Sequence, residues 1–249
     1  MSGQACELRL YHAWASTCSQ KVRLALAEKS LSWEGTVLSL RQFEHLSDEF
    51  LALNPDGLVP VLVHQGFVIR ESSVINDYLD EVFPQPALSL PGPRGRARVA
   101  MWSRFVDEVT SPAIKKPSFM ANLRPYLQGL PQAELERVAG RFPSRAIARR
   151  WLQAAREGIA EHELQASLSD LRRSLDRAQA ALRDGPWLAG EQYTLADINM
   201  IPFVLRIDQL PGFELGRDWP DVHDWMLRVT RRPAFGNAQF VEQQAGVPA

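Results

Sequence analysis

Two side chains near the start of the chain have the types and the spacing that sulfur chemistry requires. Ser16 and Cys18 stand in a short polar loop, between an alternating apolar segment and a segment of helical character. The unpaired N–H groups at a helix start carry partial positive charge, so they stabilise a thiolate of the protein or of a ligand. The pattern therefore predicts a site that holds or uses a sulfur anion.

The same two residues also have an ordinary structural interpretation. A serine ahead of a helix commonly caps it, and a single cysteine near a helix start commonly behaves as a small, inert apolar residue. Both interpretations stay open at this point, so the elements around the loop have to decide between them.

The elements around the loop follow an order of strands and helices typical of an α/β domain. Glu7 to Tyr11 alternates as a half-buried strand does, and Val22 to Lys29 is amphipathic, with Ser16 or Ser19 as its cap. The further elements predicted are a strand over 32–38, a short helix over 45–53, strands over 59–63 and 67–70, and a helix over 72–82. The order is βαβ followed by αββα.

A family resemblance joins these elements. The run from Tyr11 to Lys29 resembles the active-site segment of soluble glutathione transferases, and its S-x-C-S-x-[KR]-x-R pattern is similar to the zeta class. The other matching runs are Glu44-His45-Leu46 and 50–55 (delta and theta classes), Val59-Pro60 and Glu71-Ser72 (nearly all classes), and 187–198 (the buried capping motif). The resemblance implies a thioredoxin-like α/β N-terminal domain, an all-α C-terminal helical domain, glutathione as cosubstrate and a homodimer.

The resemblance also implies how glutathione is held. A cis Val59-Pro60 bond would turn the Val59 backbone toward the peptide, which would pair as an extra strand. Glu71 would bind the γ-glutamyl ammonium, Ser72 and its helix start the γ-glutamyl carboxylate, and His45 the glycine carboxylate. Each residue alone also fits an ordinary role as a first-turn acid, cap, surface or strand-edge residue. Together, at these spacings, they favour glutathione binding.

The resemblance assigns separate roles to the two loop residues. Ser16 matches the first cysteine of a thioredoxin-type C-x-x-C and Ser19 the second, which excludes a dithiol cycle. A serine in the first position holds the glutathione sulfur as a thiolate. Cys18 matches the cysteine that assists zeta-class isomerases and that captures the glutathionyl group as a mixed disulfide in reductive dehalogenases.

Several reactions remain open. Conjugation of glutathione to a small hydrophobic electrophile, or thiol exchange, ranks first; reductive dehalogenation or β-ether cleavage ranks second. Isomerisation of a maleylacetoacetate-type substrate ranks third, because Gln209 replaces the isomerases' pocket arginine and only Arg206, one turn earlier, is a substitute. A non-catalytic ligand carrier or interaction module is the alternative from another class. The residues predicted to line the electrophile pocket are Trp14, Met101, Phe105 and Arg206.

The second half of the chain has a helical pattern. A connector rich in Pro and Gly over 85–93 places the domain boundary between residues 86 and 87, giving domains 1–86 and 87–249. Five prolines are expected to break the segment 110–159, with helix resuming near Ile147. A stripe of leucines over 164–182 predicts a core-facing helix, and Thr194 with Asp197 predicts a capping box.

Composition limits the class of protein. The 249 residues carry a net charge of −1 and 45% apolar residues, which argues against a nucleic-acid surface and allows a core in each domain. We find no apolar run long enough for a membrane span and no metal-ligand spacing. With only Cys6 and Cys18, a reducing cytoplasm is the expected setting. Phe83 and Trp102 are the candidate apolar contacts of the homodimer.

Arginines recur every four residues in the segment 110–159, at 137, 141, 145 and 149. Like charges at this spacing repel one another on a continuous helix, so a solvated surface is the preferred interpretation. A pocket that attracts anionic substrates is the alternative.

Overall fold

Four short strands form one mixed sheet in the first third of the chain. The computed structural model describes residues 8–238. The strands are β1 (Leu8–His12), β2 (Glu34–Val37), β3 (Val61–His64) and β4 (Phe67–Ile69), in the spatial order β2-β1-β3-β4. Strand β1 is parallel to β2 and antiparallel to β3, and β3 and β4 form a hairpin. The predicted βαβ unit and hairpin are therefore present.

Strand β1 buries one of its two faces because apolar residues alternate along it. Leu8 and Leu10 are fully buried, whereas Arg9 points outward and pairs with Glu34 at 2.9 Å. Leu10 lies opposite Leu62 of β3 in the register. The alternation predicted for this segment is confirmed, although Glu7 and Cys6 lie outside the described residues.

Thirteen α-helices are present in the described part of the chain. They are α1 (Thr17–Glu28), α2 (Asp48–Leu53), α3 (Ser72–Val82), α4 (Gly92–Phe105), α5 (Ser111–Ser118), α6 (Arg124–Gln128), α7 (Gln132–Ala139), α8 (Arg145–Glu157), α9 (Glu161–Leu182), α10 (Leu195–Asp208), α11 (Leu215–Asp218), α12 (Pro220–Thr230) and α13 (Pro233–Asn237). Helix α1 lies between β1 and β2 in the chain, α2 lies between β2 and β3, and α3 follows β4; the remaining helices come after α3. The domain boundary at 86/87 falls in the connector between α3 and α4 and stays a prediction.

The helix predicted over 45–53 is wrong as a single element. A 3₁₀ turn, Glu44–Leu46, comes first, and Ser47 is extended with φ −72° and ψ 152°. The Ser47 hydroxyl accepts a hydrogen bond from Phe50 N at 3.3 Å and so begins α2 anew. The cap satisfies an N–H that a continuous helix would have paired internally. His45 therefore lies on a short turn of its own.

The segment 110–159 is largely helical, and its prolines break it only in part. Pro131 and Pro143 lie at breaks, directly before α7 and before the α8 cap, as expected, whereas Pro112, Pro117 and Pro125 lie within α5 and α6. Pro112 lies in the first turn of α5, where a missing N–H costs nothing. Two π-helical turns, Val106–Thr110 and Phe119–Leu123, join α4, α5 and α6 and absorb the irregular hydrogen bonding. Helix α7 ends before α8 begins at its cap, Ser144, so the arginines do not form one stripe.

These helices have a small core of their own, separate from the main core. Its buried members are Phe43, Leu46, Leu127, Leu135, Val138 and Ala155, with Phe119, Leu123, Leu130, Phe142, Trp151 and Leu152 packed around them. Two of the buried residues, Phe43 and Leu46, come from the loop beside α2. We call this set the second cluster. Through Phe43 and Leu46, the second cluster packs the helical segment against the sheet domain.

The capping box predicted in the second half is confirmed. Thr194 caps α10, and both reciprocal bonds with Asp197 are present. The Asp197 carboxylate also accepts hydrogen bonds from Leu188 N at 3.0 Å and from the Trp225 indole at 2.8 Å. Burial raises the pKa of Asp197 to about 6, while these N–H donors act in the opposite direction. The Asp197 carboxylate therefore links the start of α10 to Leu188 in the loop before it and to Trp225 on α12.

Buried polar groups connect the sheet domain to the helical core. The Asn76 amide donates to Asn199 Oδ1 at 2.8 Å, and the Asn199 amide donates to the Ser103 hydroxyl at 2.8 Å. The ammonium group of Lys21, on α1, lies 2.9 Å from the Asp107 carboxylate in the first π-helical turn. Both asparagines are fully buried. We call this chain of amides the buried amide bridge.

Trp102 is not a surface residue, so its prediction as a dimer contact is wrong. Its ring is buried in the main core, next to Phe105 at 6.1 Å and under the Arg177 guanidinium at 4.9 Å. The apolar periodicity of α4 could not distinguish a core tryptophan from an exposed one. Phe83 is half-buried and packs near His64, with ring centroids 5.7 Å apart.

No helix within residues 8–238 combines the length and the apolar character that crossing a membrane requires. In the same range, no three His, Cys, Asp or Glu side chains are grouped so that they could hold a metal ion.

Candidate active site

The loop between β1 and α1 ends on Ser16, which caps the helix. Ser16 is extended, with φ −77° and ψ 117°, and its Oγ accepts a hydrogen bond from Ser19 N at 3.2 Å. Ser19 in turn accepts from Ala13 N at 3.3 Å and is fully buried. Ser16 is therefore the cap and Ser19 supports the loop. A hydroxyl oxygen that accepts an N–H still has its own hydrogen to donate, so capping does not exhaust Ser16.

Cys18 lies in the first turn of α1, where helix α5 contacts it. Its Sγ is 3.9 Å from the hydroxyl of Ser111, the first residue of α5, and the side chain is half-buried. The sulfur thus lies between α1 and α5. Ser111 had no signal in the sequence, because only the fold brings together two residues that are 93 positions apart.

Three successive carbonyl groups ahead of Ser16 are held by side chains. The Arg23 guanidinium donates to Ala13 O and to Trp14 O, both at 3.2 Å, and lies 4.9 Å from the Trp14 ring. Arg206 donates to Ala15 O at 2.9 Å. Burial lowers the pKa of Arg23 to about 10, so it stays charged at neutral pH. The loop is rigid at the point where Ser16 begins the helix.

The Arg23 contact is a role that sequence reasoning missed, although the residue belongs to the quoted motif. On the amphipathic helix predicted from the sequence, Arg23 counted among the polar residues that flank the apolar face. In the structure Arg23 is buried and only 1% exposed. Arg206 does reach the active-site loop from α10, as expected of a pocket residue, but its guanidinium is bonded to backbone. Its part in a pocket stays a prediction.

Residues 59 to 72 form the edge along which a peptide is predicted to bind. The Val59-Pro60 bond is cis, and Val59 is half-buried immediately before β3. Glu71 has φ 63° and ψ 112° and is exposed at the start of α3, while Ser72 is buried as the first helical residue. A positive φ is uncommon for glutamate and is found at functional sites where the surroundings enforce it. The carboxylate and the helix start are thus adjacent.

His45 is half-buried on the 3₁₀ turn and lacks a partner on one nitrogen. Burial and the nearby Arg141 guanidinium lower the pKa of His45 to about 4, so the imidazole is neutral at pH 7. Its Nδ1 is buried and has no hydrogen-bond partner among residues 8–238. Gly57, at φ 62°, lies so close to this turn that a side chain there would come within 3.2 Å of His45 O. The turn therefore packs beside the segment that leads to Val59.

Met101 and Phe105 occupy different environments on α4. Met101 is 58% exposed, whereas Phe105 is partly buried beneath the Arg177 guanidinium, 4.1 Å from its ring centroid. Their assignment to an electrophile pocket stays a prediction.

The comparisons with known proteins agree with this geometry. The model of the glutathione S-transferase N-terminal domain matches residues 15–82, and that of the C-terminal domain matches residues 149–233. Protein LigF of Sphingobium sp. (strain NBRC 103272 / SYK-6) is 30% identical over 235 residues, which cover 91% of each chain. The chain belongs to the glutathione S-transferase family. The resemblance to soluble glutathione transferases is confirmed, and glutathione is the cosubstrate; the similarity of single motifs to the zeta, delta and theta classes stays a prediction.

Two further relatives bear on this transferase. The maleylacetoacetate isomerase of Pseudomonas aeruginosa is 43% identical over 239 residues, covering 95% of this chain and 97% of that protein. The crystal structure of the beta-etherase LigF from Sphingobium sp. strain SYK-6 matches with a TM-score of 0.86 and 28% identity, covering 93% of this chain and 98% of that one. The predicted fold, a small α/β domain followed by a helical one, is confirmed.

Proposed function

We propose that this transferase activates the thiol of glutathione at Ser16 and adds it to a small hydrophobic electrophile. The observation that carries the proposal is the capped helix start, where the Ser16 hydroxyl lies at the positive end of the α1 dipole and Cys18, two residues on, contacts α5. The thiolate attacks an electrophilic carbon; the carbon–sulfur bond forms as the bond to the leaving group breaks, and the leaving group keeps the electron pair. This supports conjugation as the first choice.

We also propose that the tripeptide lies along the edge formed by residues 59–72. Val59 would pair with its backbone, Pro60 would fix that edge, Glu71 would bind the γ-glutamyl ammonium, and Ser72 would receive the γ-glutamyl carboxylate. The exposed carboxylate of Glu71 beside the start of α3 supports this placement, since an ammonium and a carboxylate on one carbon need opposite charges side by side. His45 would meet the glycine carboxylate.

Ether cleavage is the second candidate, favoured by the similarity to LigF, which a solved structure names as a beta-etherase. It is the same displacement with an oxygen leaving group: glutathione thiolate attacks the carbon and an alkoxide or phenoxide departs and takes a proton. Isomerisation is favoured by the 43% identity to an isomerase. Against it, Gln209 caps the end of α10 and Arg206 is bonded to Ala15 O.

Turnover assays separate these reactions and also test the non-catalytic alternative. The purified chain should release chloride and form a glutathione conjugate with chlorodinitrobenzene, measured by absorbance. A β-aryl ether and maleylacetone should be assayed beside it. Binding of glutathione without turnover of any of the three, or of a mixed disulfide, would instead favour a carrier or an interaction module.

We propose a homodimer in which exposed apolar residues of the sheet domain meet the partner. Phe67 on β4 is 63% exposed, and Val74 and Val82 on α3 are 54% and 41% exposed. Light scattering at micromolar concentration should give twice the chain mass of 28.0 kDa, and Phe67→Glu should lower it because a carboxylate would be buried unpaired. A wild-type mass of one chain would contradict the proposal. A soluble cytoplasmic setting is likewise proposed, from the reducing chemistry that a thiol site needs.

A further inference from the structure

The turn that carries His45 is held from outside the sheet domain. Phe43, immediately before this turn, has φ 57° and ψ 33° and is 4% exposed. A bulky residue with a left-handed backbone is strained and persists only where packing enforces it. Here the enforcing contacts come from the second cluster: the Trp151 ring on α8 meets the Phe43 ring edge-on, with centroids 5.5 Å apart.

A charged side chain of the same helical segment completes the contact. Arg141 follows α7, and its guanidinium donates to Phe43 O at 3.1 Å. The ring of Phe43 lies 6.2 Å from that of His45. The arginine therefore fixes the backbone where the 3₁₀ turn begins. It is partly buried, whereas Arg145 and Arg149 beyond it are exposed, as the preferred surface interpretation expects.

The position of His45 fits a ligand-binding role that requires such support. Its buried Nδ1 lacks a partner in the described chain, and a buried polar atom without a partner is costly. A neutral imidazole with its proton on Nδ1 would donate to a carboxylate. A short isolated turn would not hold the ring in place for this purpose unless its start were fixed.

We propose that Arg141, with the second cluster, is a positioning element that fixes the Phe43 turn so that His45 binds the glycine carboxylate. The helical segment then makes the enzyme selective for the full tripeptide over shorter thiols. This inference rests on the proposed function, which places the glycine end of glutathione at His45. It assigns a role to the segment 110–159 that the sequence left without one.

The test compares two thiols by calorimetry, glutathione and γ-glutamylcysteine, which lacks the glycine. Arg141→Gln should reduce the preference for glutathione about three- to ten-fold, the loss expected for one net hydrogen bond, with little change for γ-glutamylcysteine. Arg141→Lys should restore part of the preference, because its ammonium can still donate to Phe43 O. Trp151→Leu, which removes the ring contact from the helical side, should lower the preference as well.

Two variants serve as references. Arg149→Gln removes the same charge from an exposed position on α8 and should leave both affinities unchanged. His45→Ala should abolish most of the preference, and adding Arg141→Gln to it should cause no further loss, since both act on one contact.

The outcomes separate the inference from the function on which it rests. If Arg141→Gln weakens both thiols equally, or neither, while His45→Ala lowers the preference, the positioning role is rejected and the glycine placement stands. If His45→Ala leaves the preference intact, the placement and the inference both fail. Absence of glutathione binding by the wild type would reject the proposed function with them.

Discussion

Glu71→Ala is expected to weaken glutathione binding by about 2–5 kcal/mol, a rise in Kd of at least about 30-fold, because it leaves the γ-glutamyl ammonium without its counter-charge. Alanine keeps the β-carbon of Glu71, so the strain at φ 63° is the same before and after the change. Calorimetry with glutathione measures the effect. Thermal unfolding of the unliganded protein should change little.

Two controls isolate the charge pair. Glu161→Ala removes an exposed acid from the first turn of α9 and should leave Kd unchanged. Glutaryl-cysteinylglycine, which lacks the γ-glutamyl amine, should bind wild type and Glu71→Ala equally, since it has no ammonium with which Glu71 could pair. Equal affinity of wild type and variant for glutathione itself would reject the placement of the ammonium at Glu71.

Ser16→Ala is expected to raise the pKa of the bound glutathione thiol and to slow conjugation at neutral pH about 10- to 150-fold. The change removes one hydrogen bond to an anion, worth roughly 1.5–3 kcal/mol. The thiolate absorbance of bound glutathione, followed against pH, reports this pKa directly. At a pH above the raised pKa, the variant should recover most of its rate, because the thiolate then forms without the serine.

The helix cap requires its own control, since Ser16→Ala also removes the bond from Ser19 N. Ser144 caps α8 in the same way, accepting from Ile147 N at 3.5 Å. Ser144→Ala should cost a similar amount of folding free energy, about 1 kcal/mol, and leave the thiol pKa unchanged. A thiol pKa that is equal in wild type and Ser16→Ala would make Ser16 a cap only.

Cys18 should be separable from Ser16 in the same assays. Cys18→Ala is expected to spare conjugation and to abolish any reaction in which the cysteine attacks a glutathionyl sulfur. In that step a disulfide forms, the sulfur–carbon bond breaks, and the carbon takes the electron pair and a proton. A second glutathione thiolate would then release oxidised glutathione. Mass spectrometry should find glutathione on Cys18 in the wild type when the second thiol is withheld.

The reverse pattern would overturn both assignments. Loss of conjugation in Cys18→Ala, with Ser16→Ala active, would indicate a cysteine-type transferase in which Ser16 only caps α1.

Local patterns were sufficient to predict most of the sheet domain. Alternation predicted β1, the serine loop predicted the start of α1, and the spacing of Thr194 and Asp197 predicted the α10 cap, because each depends on residues a few positions apart. The contacts between Cys18 and Ser111 and between Arg141 and Phe43 join distant segments. No local sequence pattern predicts these two contacts.

Three predictions were wrong because a sequence pattern leaves more than one local structure open. The helix expected over 45–53 is divided by Ser47, which competes for a backbone N–H that periodicity assigns to the helix. All five prolines were expected to break 110–159, yet Pro112, Pro117 and Pro125 lie within α5 and α6. Trp102 was expected at the surface, yet it fills the core. The Ser47 hydroxyl decides the first case locally, whereas packing from elsewhere in the chain buries Trp102.

The buried amide bridge determines the register in which the two domains dock. Sliding one domain past the other by a residue would break the Asn76–Asn199 and Asn199–Ser103 hydrogen bonds inside the core, where a lost partner is costly. The bridge therefore favours one separation between α1 and α5, where Cys18 faces Ser111, before a substrate arrives. Binding then costs mainly the conformational entropy of the ligands, because the residues of the active site already have the arrangement that the reaction needs.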